Sequence, residues 1–460
     1  MNKPNILQTI ASVAACKGTR AALRMTGRGG TALPGKAARV FAKDILEVTS
    51  AGMEIIVVTG TNGKTTTSRM LEHALTASGH PCLANKSGAN LLSGVTAEIS
   101  CNATWLGKPR THYAVIECDE GALKQVVPLI HPKVIVVTNL FRDQLDRYGE
   151  VTHTVEQIRM GIRQVPETIL CLNADDSLVA SLADGVPNPV VWFGLDTPVG
   201  EQKDAAISDA KYCIKCGTAY QYHYHTYAHL GDFYCPKCGY HRQPTSVAVT
   251  AIDKIASDGS RVRLRLGDET QEVQIGLPAV YNIYNAAAAV CAYTSFGLPA
   301  GEILNSLSDV HSSFGRMETF RVGVQKAQMI LVKNPAGCNQ ALAYVASLEE
   351  NFNLMFCLND RTADGHDISW IWDADYEQIA EDAHVQRIYV SGDRAEDMQL
   401  RLKYAGIPEN KMVLCKENDD LLKVMQESSL PSFILPNYTS MLALRKVLSD
   451  ATGGSDFWKG

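Results

Sequence analysis

The chain has 460 residues, with 43 basic against 49 acidic side chains and a net charge of −6. At roughly 150 residues per domain this length predicts about three domains, and the 46% hydrophobic and 20% charged content excludes a disordered, collagen-like or coiled-coil chain. The acidic balance excludes a bulk polycation for nucleic acid; no apolar run approaches the ~18 residues that cross a bilayer, and the N-terminus lacks a signal peptide's apolar core and cleavage site, so a soluble cytoplasmic chain is expected.

Residues 1–53 read as a basic N-terminal arm. From Met1 to Lys43 there are eight basic residues and no acid, the first being Asp44. Lys17, Arg20 and Arg24 recur at helical spacing, followed by the Gly-rich stretch Gly27–Gly30. A transit peptide shares this composition. The alternatives are a leading helix that meets phosphate or an anionic membrane surface, and a solvated basic face.

The pattern changes at Glu54. A β-branched run leads into Gly60-Thr61-Asn62-Gly63-Lys64-Thr65-Thr66-Thr67, and Ser68–Ser78 has helical periodicity. Strand, Gly-rich turn and helix open a βαβ unit. Further strands are predicted at 113–116, 134–138, 168–172 and 190–193, with helices between them, which implies a parallel doubly wound sheet. Residues 205–244 break the rhythm as a small insertion. Amphipathic strands follow at 246–253, 261–266 and 271–275, then a helix over 282–296. A boundary near 316 opens a second α/β pattern to residue 460, with strands at 329–332, 354–358, 387–390 and 433–435.

Gly60, Gly63, Lys64 and Thr65 form most of a P-loop. Glycines let backbone amides close on phosphate oxygens, and the following helix adds its positive end. Lys64 would reach the β- and γ-phosphates and the Thr65 hydroxyl would face Mg²⁺. The general pattern puts its first glycine at position 58, where this chain has Val58. Glu117 ends a predicted strand on the sheet edge where ligands bind, which marks it as a magnesium-side carboxylate. Asn139 follows the next strand on the same edge.

These segments resemble the Mur ligases and folylpolyglutamate synthases. The residues that carry the likeness are GTNGKTTT at 60–67, ECDEG at 117–121 and TNLFRDQLDRYG at 138–149. Tyr281-Asn282-x-x-Asn285 is similar to that family's adenine-side helix start, and Phe314-Gly315-Arg316 to its hinge. The resemblance implies a Mur ligase-like ATPase domain over 54–315 and a Rossmann-like domain over 316–460. It implies ATP held by Gly60, Thr61, Asn62, Gly63, Lys64, Thr65, Thr66, Glu117, Asn139, Asn282, Asn285 and Arg316, with Mg²⁺ on Thr65 and Glu117. A carboxylate would become an acyl phosphate that an amine attacks. The chain departs where the family has Asp-His-Leu-Asp, since it reads Asp143-Gln144-Leu145-Asp146. It also has no lysine in 155–164 to match the family's carbamoylated one, and no amino-acid-binding signature in the last domain. Addition of an amino acid is therefore not expected.

The chain has thirteen cysteines. Nine are scattered among apolar neighbours and read as small buried hydrophobes. Cys213, Cys216, Cys235 and Cys238 form two Cys-x-x-Cys-Gly knuckles 18 residues apart. Four thiolates suit a closed, structural Zn²⁺ site. His223, His225, His229 and His241 are expected on the ribbon surface. A ribbon raises nucleic-acid binding as a rival reading, but 211–242 offers only Lys211, Lys215, Lys237 and Arg242 against Asp232, so no nucleic acid is expected.

In the last domain, Asn359-Asp360-Arg361-Thr362-Ala363-Asp364-Gly365-His366-Asp367 follows a strand. By turn chemistry alone it is a loop. Together with the ribbon and the 27–35 run, it resembles a glutamine-dependent amidating branch of the Mur ligase family. That likeness implies a class I glutaminase partner (GatD-like) whose Cys and His are completed by an Asp from this turn, Asp360 first and Asp364 in reserve, orienting the histidine. It implies lipid II as substrate, amidated on the D-glutamate α-carboxylate by ammonia at the inner face of the membrane. Arg20, Arg24 and Arg28 would then face the substrate pyrophosphate. A free-standing ligase that adds an amino acid is the other reading.

Overall fold

A computed structural model describes residues 4–25, 31–85, 89–142, 151–199, 209–256, 258–310 and 316–452. They divide into two compact units, one within 1–141 and 150–310, the other within 142–149 and 311–460.

The first unit opens with three helices, α1 (Ile6–Met25), α2 (Leu33–Phe41) and α3 (Ile45–Thr49). The βα alternation follows: β1 (Glu54–Thr59), α4 (Lys64–Ala77), β2 (Cys82–Ala84), α5 (Leu92–Asn102), β3 (Tyr113–Glu117), α6 (Leu123–Ile130) and β4 (Val134–Val137). It continues through α7 (Val151–Ile162), β5 (Ile169–Asn173), α8 (Ser177–Ala180) and β6 (Val190–Leu195). A hairpin, β7 (Gln221–Tyr227) and β8 (Leu230–Tyr234), precedes β9 (Val247–Ala256), β10 (Gly259–Leu266) and β11 (Glu269–Ile275). Helices α9 (Val280–Ser295) and α10 (Ala300–Ser306) close the unit.

The nine-stranded sheet runs β11-β10-β9-β6-β5-β4-β1-β3-β2. From β2 to β9 every pair is parallel. Here the apolar runs are continuous because helices cover both faces; Ile55, Ile56, Val57 and Val58 are all fully buried. The sheet is mixed rather than wholly parallel, since β10 is antiparallel to both β9 and β11. In β10, buried Val262 and Leu264 alternate with exposed Arg261 and Arg263, the mark of a sheet with one wet face.

The basic arm is helical and docked. Val13 and Cys16 of α1 are fully buried, and Cys16 packs with Ala38, Ala42, Ile45 and Ala97. Part of the basic face is used internally. Arg20 pairs with Glu98 at 2.8 Å, and Lys17 donates to the Ala103 carbonyl at 2.5 Å. Arg24 is exposed; Arg28 lies outside the described residues.

The second unit contains β12 (Arg316–Val322), β13 (Gln325–Ile330), α11 (Pro335–Ala346), β14 (Phe352–Cys357), β15 (Val385–Ser391) and α12 (Ala395–Tyr404). After these come β16 (Met412–Leu414), α13 (Asn418–Glu427), β17 (Ser432–Pro436) and α14 (Tyr438–Thr452). Its sheet runs β12-β13-β17-β14-β15-β16, parallel except for the β12–β13 hairpin. Among the described residues, no helix is long and apolar enough to cross a membrane.

Candidate active site

Val58, where a longer phosphate loop would start, is a strand residue paired with Glu117 on one side and Val136 on the other. The loop therefore opens at Gly60, and α4 begins at Lys64. The first amide with an intrahelical partner is that of Thr67, which bonds the Gly63 carbonyl at 2.9 Å. The amides of Lys64, Thr65 and Thr66 precede it and have no acceptor within the helix, the arrangement that favours anions at helix starts. Gly63 sits at φ 87°, and a Cβ there would run into the Asn285 amide. Asn285 is held by Asn282 at 3.1 Å, and Asn282 by the Pro278 carbonyl at 2.6 Å. The two asparagines of α9 thus brace the loop.

Asn139, after β4, fastens the other side. Its Oδ1 accepts from the Asn62 amide at 2.9 Å, its Nδ2 donates to the Asn62 carbonyl at 3.1 Å, and its carbonyl accepts from the Thr61 amide at 2.8 Å. The Thr61 hydroxyl accepts from the Phe141 amide at 3.0 Å. Thr66 is half-buried on α4.

Thr65 and Glu117 are in direct contact: the hydroxyl donates to Glu117 Oε2 at 2.6 Å. Glu117 is clamped at its backbone by Asn85, through two bonds of 2.7 Å, and its Oε1 accepts from Asn90 at 3.4 Å. The Lys64 ammonium donates to the Gly60 and Thr61 carbonyls and to Glu120 Oε2, the last at 3.2 Å. Glu117, Asp119 and Glu120 are all buried, and Glu120 pairs with the Lys64 ammonium. A hydroxyl and a carboxylate oxygen in contact are the hard oxygen donors that a divalent cation such as Mg²⁺ takes, so Thr65 and Glu117 fit that ion. Sequence reasoning missed Glu120, Asn85 and Asn90. Glu120 had a signal, as it lies in the same acidic run as Glu117; the asparagines had none.

The four ribbon cysteines converge. Their sulfurs lie within 4.8 Å of one another, with Cys213 Sγ 3.6 Å from Cys238 Sγ and Cys216 Sγ 3.4 Å from Cys235 Sγ. A tetrahedral zinc with Zn–S of ~2.3 Å has S···S edges of about 3.8 Å, so the cluster fits that ion. Each knuckle closes as its spacing requires. Gly217 and Gly239, at φ 71° and 74°, donate to the Cys213 and Cys235 carbonyls at 2.8 and 3.1 Å. Hydrogen bonds from the Thr218 hydroxyl and amide draw the Cys216 thiol down to about 6, toward the thiolate that binds metal.

The ribbon is anchored to the sheet by polar groups. Asp175, fully buried, accepts from Arg242 Nε at 2.6 Å, from the Leu195 amide at 2.9 Å and from the Tyr284 hydroxyl. Thr226 of β7 shares a 2.7 Å hydrogen bond with Tyr284. Burial pushes the Asp175 carboxyl up, against the pull of Arg242. Arg242 also pairs with Asp196 at 2.7 Å. His229 is not on the surface as expected. It is fully buried, 3.3 Å from Asp176 and packed on Phe141.

In the second unit, Asp360 accepts from Arg394 at 3.0 Å and stays partly exposed. Asp364 is spent on structure: it accepts from the Thr439 amide at 2.8 Å and hydroxyl at 2.5 Å, at the start of α14. Asn359 and Asn437 lock β14 to β17 through bonds of 2.6 and 3.1 Å. Arg316 opens β12, but its side chain is outside the described residues, as are Phe314, Gly315 and the 143–146 run.

A mainly parallel sheet with a phosphate loop before α4 and an acid-rich edge beside it defines a Mur-type ligase core. A Mur ligase middle-domain family model matches residues 58–231, and a MurT ligase C-terminal model matches 331–441. The lipid II isoglutaminyl synthase (glutamine-hydrolyzing) subunit MurT of Streptococcus pneumoniae is 35% identical over 96% of this chain and 97% of its own length. The subunit of the same name from Staphylococcus aureus is 34% identical over 95% and 96%. A pseudomurein peptide ligase type C from Methanothermus fervidus shares the fold, with TM-score 0.66 at 19% identity over 89% of this chain and 80% of that one. The chain belongs to the MurT family of Mur ligases.

Proposed function

We propose that this chain is the synthetase subunit of a glutamine-dependent amidotransferase that converts the D-glutamate α-carboxylate of lipid II to the carboxamide. The similarity to two MurT subunits over nearly their whole length carries the reading, and the Lys64–Glu120 and Thr65–Glu117 pairs support the ATP site. The domains are an N-terminal basic arm to residue 53, an ATP-binding domain over 54–315 with a zinc ribbon at 205–244, and a partner-facing domain over 316–460.

ATP phosphates lie on the amides of α4's first turn, with Lys64 on the β- and γ-phosphates. Gly60, Thr61, Asn62 and Gly63 form the cradle, and Asn139, Asn282 and Asn285 hold it in shape. Arg316 is a further nucleotide contact on family resemblance. Mg²⁺, when bound by Thr65 and Glu117, supplies positive charge to the transferring phosphoryl group. Lys64 offsets the charge that develops as the substrate carboxylate oxygen takes the γ-phosphoryl group and ADP leaves. Ammonia then attacks the acyl carbon, inorganic phosphate departs, and a proton is lost to give the amide. Zinc on Cys213, Cys216, Cys235 and Cys238 is structural, since four thiolates leave no open position.

The ammonia comes from a class I glutaminase subunit, GatD-like, to whose histidine Asp360 is the orienting acid. Asp364 is the weaker candidate because it already caps α14. The subunit acts in the cytoplasm at the inner membrane face. The test is an assay with lipid II, ATP, glutamine and a co-purified glutaminase. The mass change of a carboxyl becoming a carboxamide, with one ATP consumed per amide, is expected. Amino-acid addition by the chain alone would overturn the reading.

A further inference from the structure

Large exposed apolar side chains cluster on one part of the first unit. On α1, Leu7 is 74% exposed and Ile6 56%, with Ile10 also exposed; on the loop after α5, Trp105 is 56% exposed and Leu106 55%. The two stretches are in contact. The Lys17 ammonium, bonded to the Ala103 carbonyl, lies 4.8 Å from the Trp105 ring centre. The loop turns at Gly107 so near the helix that a Cβ there would press on Thr9 and Val48. At 100° per residue, Ile6, Ile10 and Lys17 share one stripe of α1. Thr9, Ser12, Val13 and Cys16 form the buried side of α1, and the exposed stripe runs along its border.

Charge says what covers this surface. Met1–Lys43 contains no acid, and neither does Thr104–His112, which adds Lys108 and Arg110, both exposed. Glu98, the acid facing α1 from α5, is taken by Arg20. Aliphatic side chains and one tryptophan beside two segments that carry bases and no acid match the boundary between acyl chains and anionic headgroups, the nearby Glu54 being paired with His112 of the loop at 3.6 Å.

We propose that this surface docks on an anionic phospholipid bilayer. Ile6, Leu7, Ile10, Trp105 and Leu106 lie at the acyl boundary, and Lys108 and Arg110 lie among the headgroups, with Lys17 tying the loop to α1. The contact is peripheral and reversible, because so shallow a patch cannot anchor permanently. The inference rests on the proposed reading for its purpose: a substrate borne by a lipid presents its headgroup at the bilayer plane.

The test is sedimentation of the full chain with vesicles of equimolar phosphatidylglycerol and phosphatidylcholine, against phosphatidylcholine alone. The chain should pellet with the anionic vesicles and its tryptophan emission should shift to the blue; W105F should remove the shift and keep the binding. A combined L7S/W105S/L106S variant, with unchanged circular dichroism and ATP affinity, should lose roughly tenfold in partitioning. Equal binding by that variant, no binding by the parent chain, or a loss confined to binding of a glutaminase subunit would overturn the proposal, the last by making this a protein interface. Vesicle binding is read without ATP or glutamine. A chain that binds vesicles but never amidates therefore leaves this inference standing and removes the reaction.

Discussion

Gly63 and Asn285 are 222 positions apart in sequence, yet a single added methyl group on the glycine would strike the asparagine's amide. Gly63→Ala combines that collision with the ~1 kcal/mol strain of a left-handed backbone. Weaker ATP binding, by tenfold or more, is expected from calorimetric titration. Asn285→Ala should restore part of the affinity in the double variant, because it removes the collision and leaves only the strain. If the two losses simply added, the residues would not be coupled.

The Thr65–Glu117 pair makes a claim about metal. Thr65→Val and Glu117→Gln each remove one oxygen donor of the kind Mg²⁺ takes. Both should raise the Mg²⁺ concentration for half-maximal ATP turnover by about an order of magnitude, while thermal stability changes little for Thr65→Val. Titration of activity with Mg²⁺ at fixed ATP reads this directly. An unchanged Mg²⁺ requirement in both variants would remove them from the metal site.

Much of this was legible beforehand for a physical reason. Strands buried on both faces have continuous apolar runs, so β1, β3, β4 and β5 were placed to within a residue or so, and the P-loop and the four cysteines are local patterns with fixed spacing. What stayed hidden depends on long-range partners. The edge strands β2 and β16 are three residues each and too short for periodicity to register. Strand β12 went unpredicted, because Arg316–Val322 mixes charged and apolar residues on a half-exposed hairpin. The acidic run pointed to Glu120, but its pairing with Lys64 shows only in the fold, and His229 gives no sign of burial until Asp176 and Phe141 surround it.

The two acids of the Asn359–Asp367 turn should separate cleanly. Asp364→Asn weakens two hydrogen bonds to Thr439, which should cost about 1–2 kcal/mol of stability, visible as a lower Tm. Asp360→Asn loses a solvent-screened pair with Arg394, of the kind that adds little to stability. Its Tm should hold, but glutamine-dependent amidation should fall while amidation from added ammonium salts persists. Loss of both activities together would place Asp360 outside the partner's histidine chemistry.

The ribbon and the phosphate loop are joined by a chain of contacts. Arg242, beside the second knuckle, pairs with Asp175; Asp175 accepts from Tyr284; and Tyr284 precedes Asn285, which abuts Gly63. If zinc holds the four cysteines, its removal should loosen Arg242 and leave the fully buried Asp175 carboxylate without that counter-charge. Breaking such a pair costs about 3–5 kcal/mol. Arg242→Met should therefore lower the Tm and weaken ATP binding with all four cysteines still present, and a strong chelator should do the same in the unaltered chain. Asp175→Asn combined with Arg242→Met should recover stability, because no buried charge is then left alone. Zinc content, Tm and ATP affinity measured on the same samples separate the steps: if ATP affinity is unmoved when zinc is gone and Tm has fallen, the ribbon stabilises the sheet without reaching the nucleotide site.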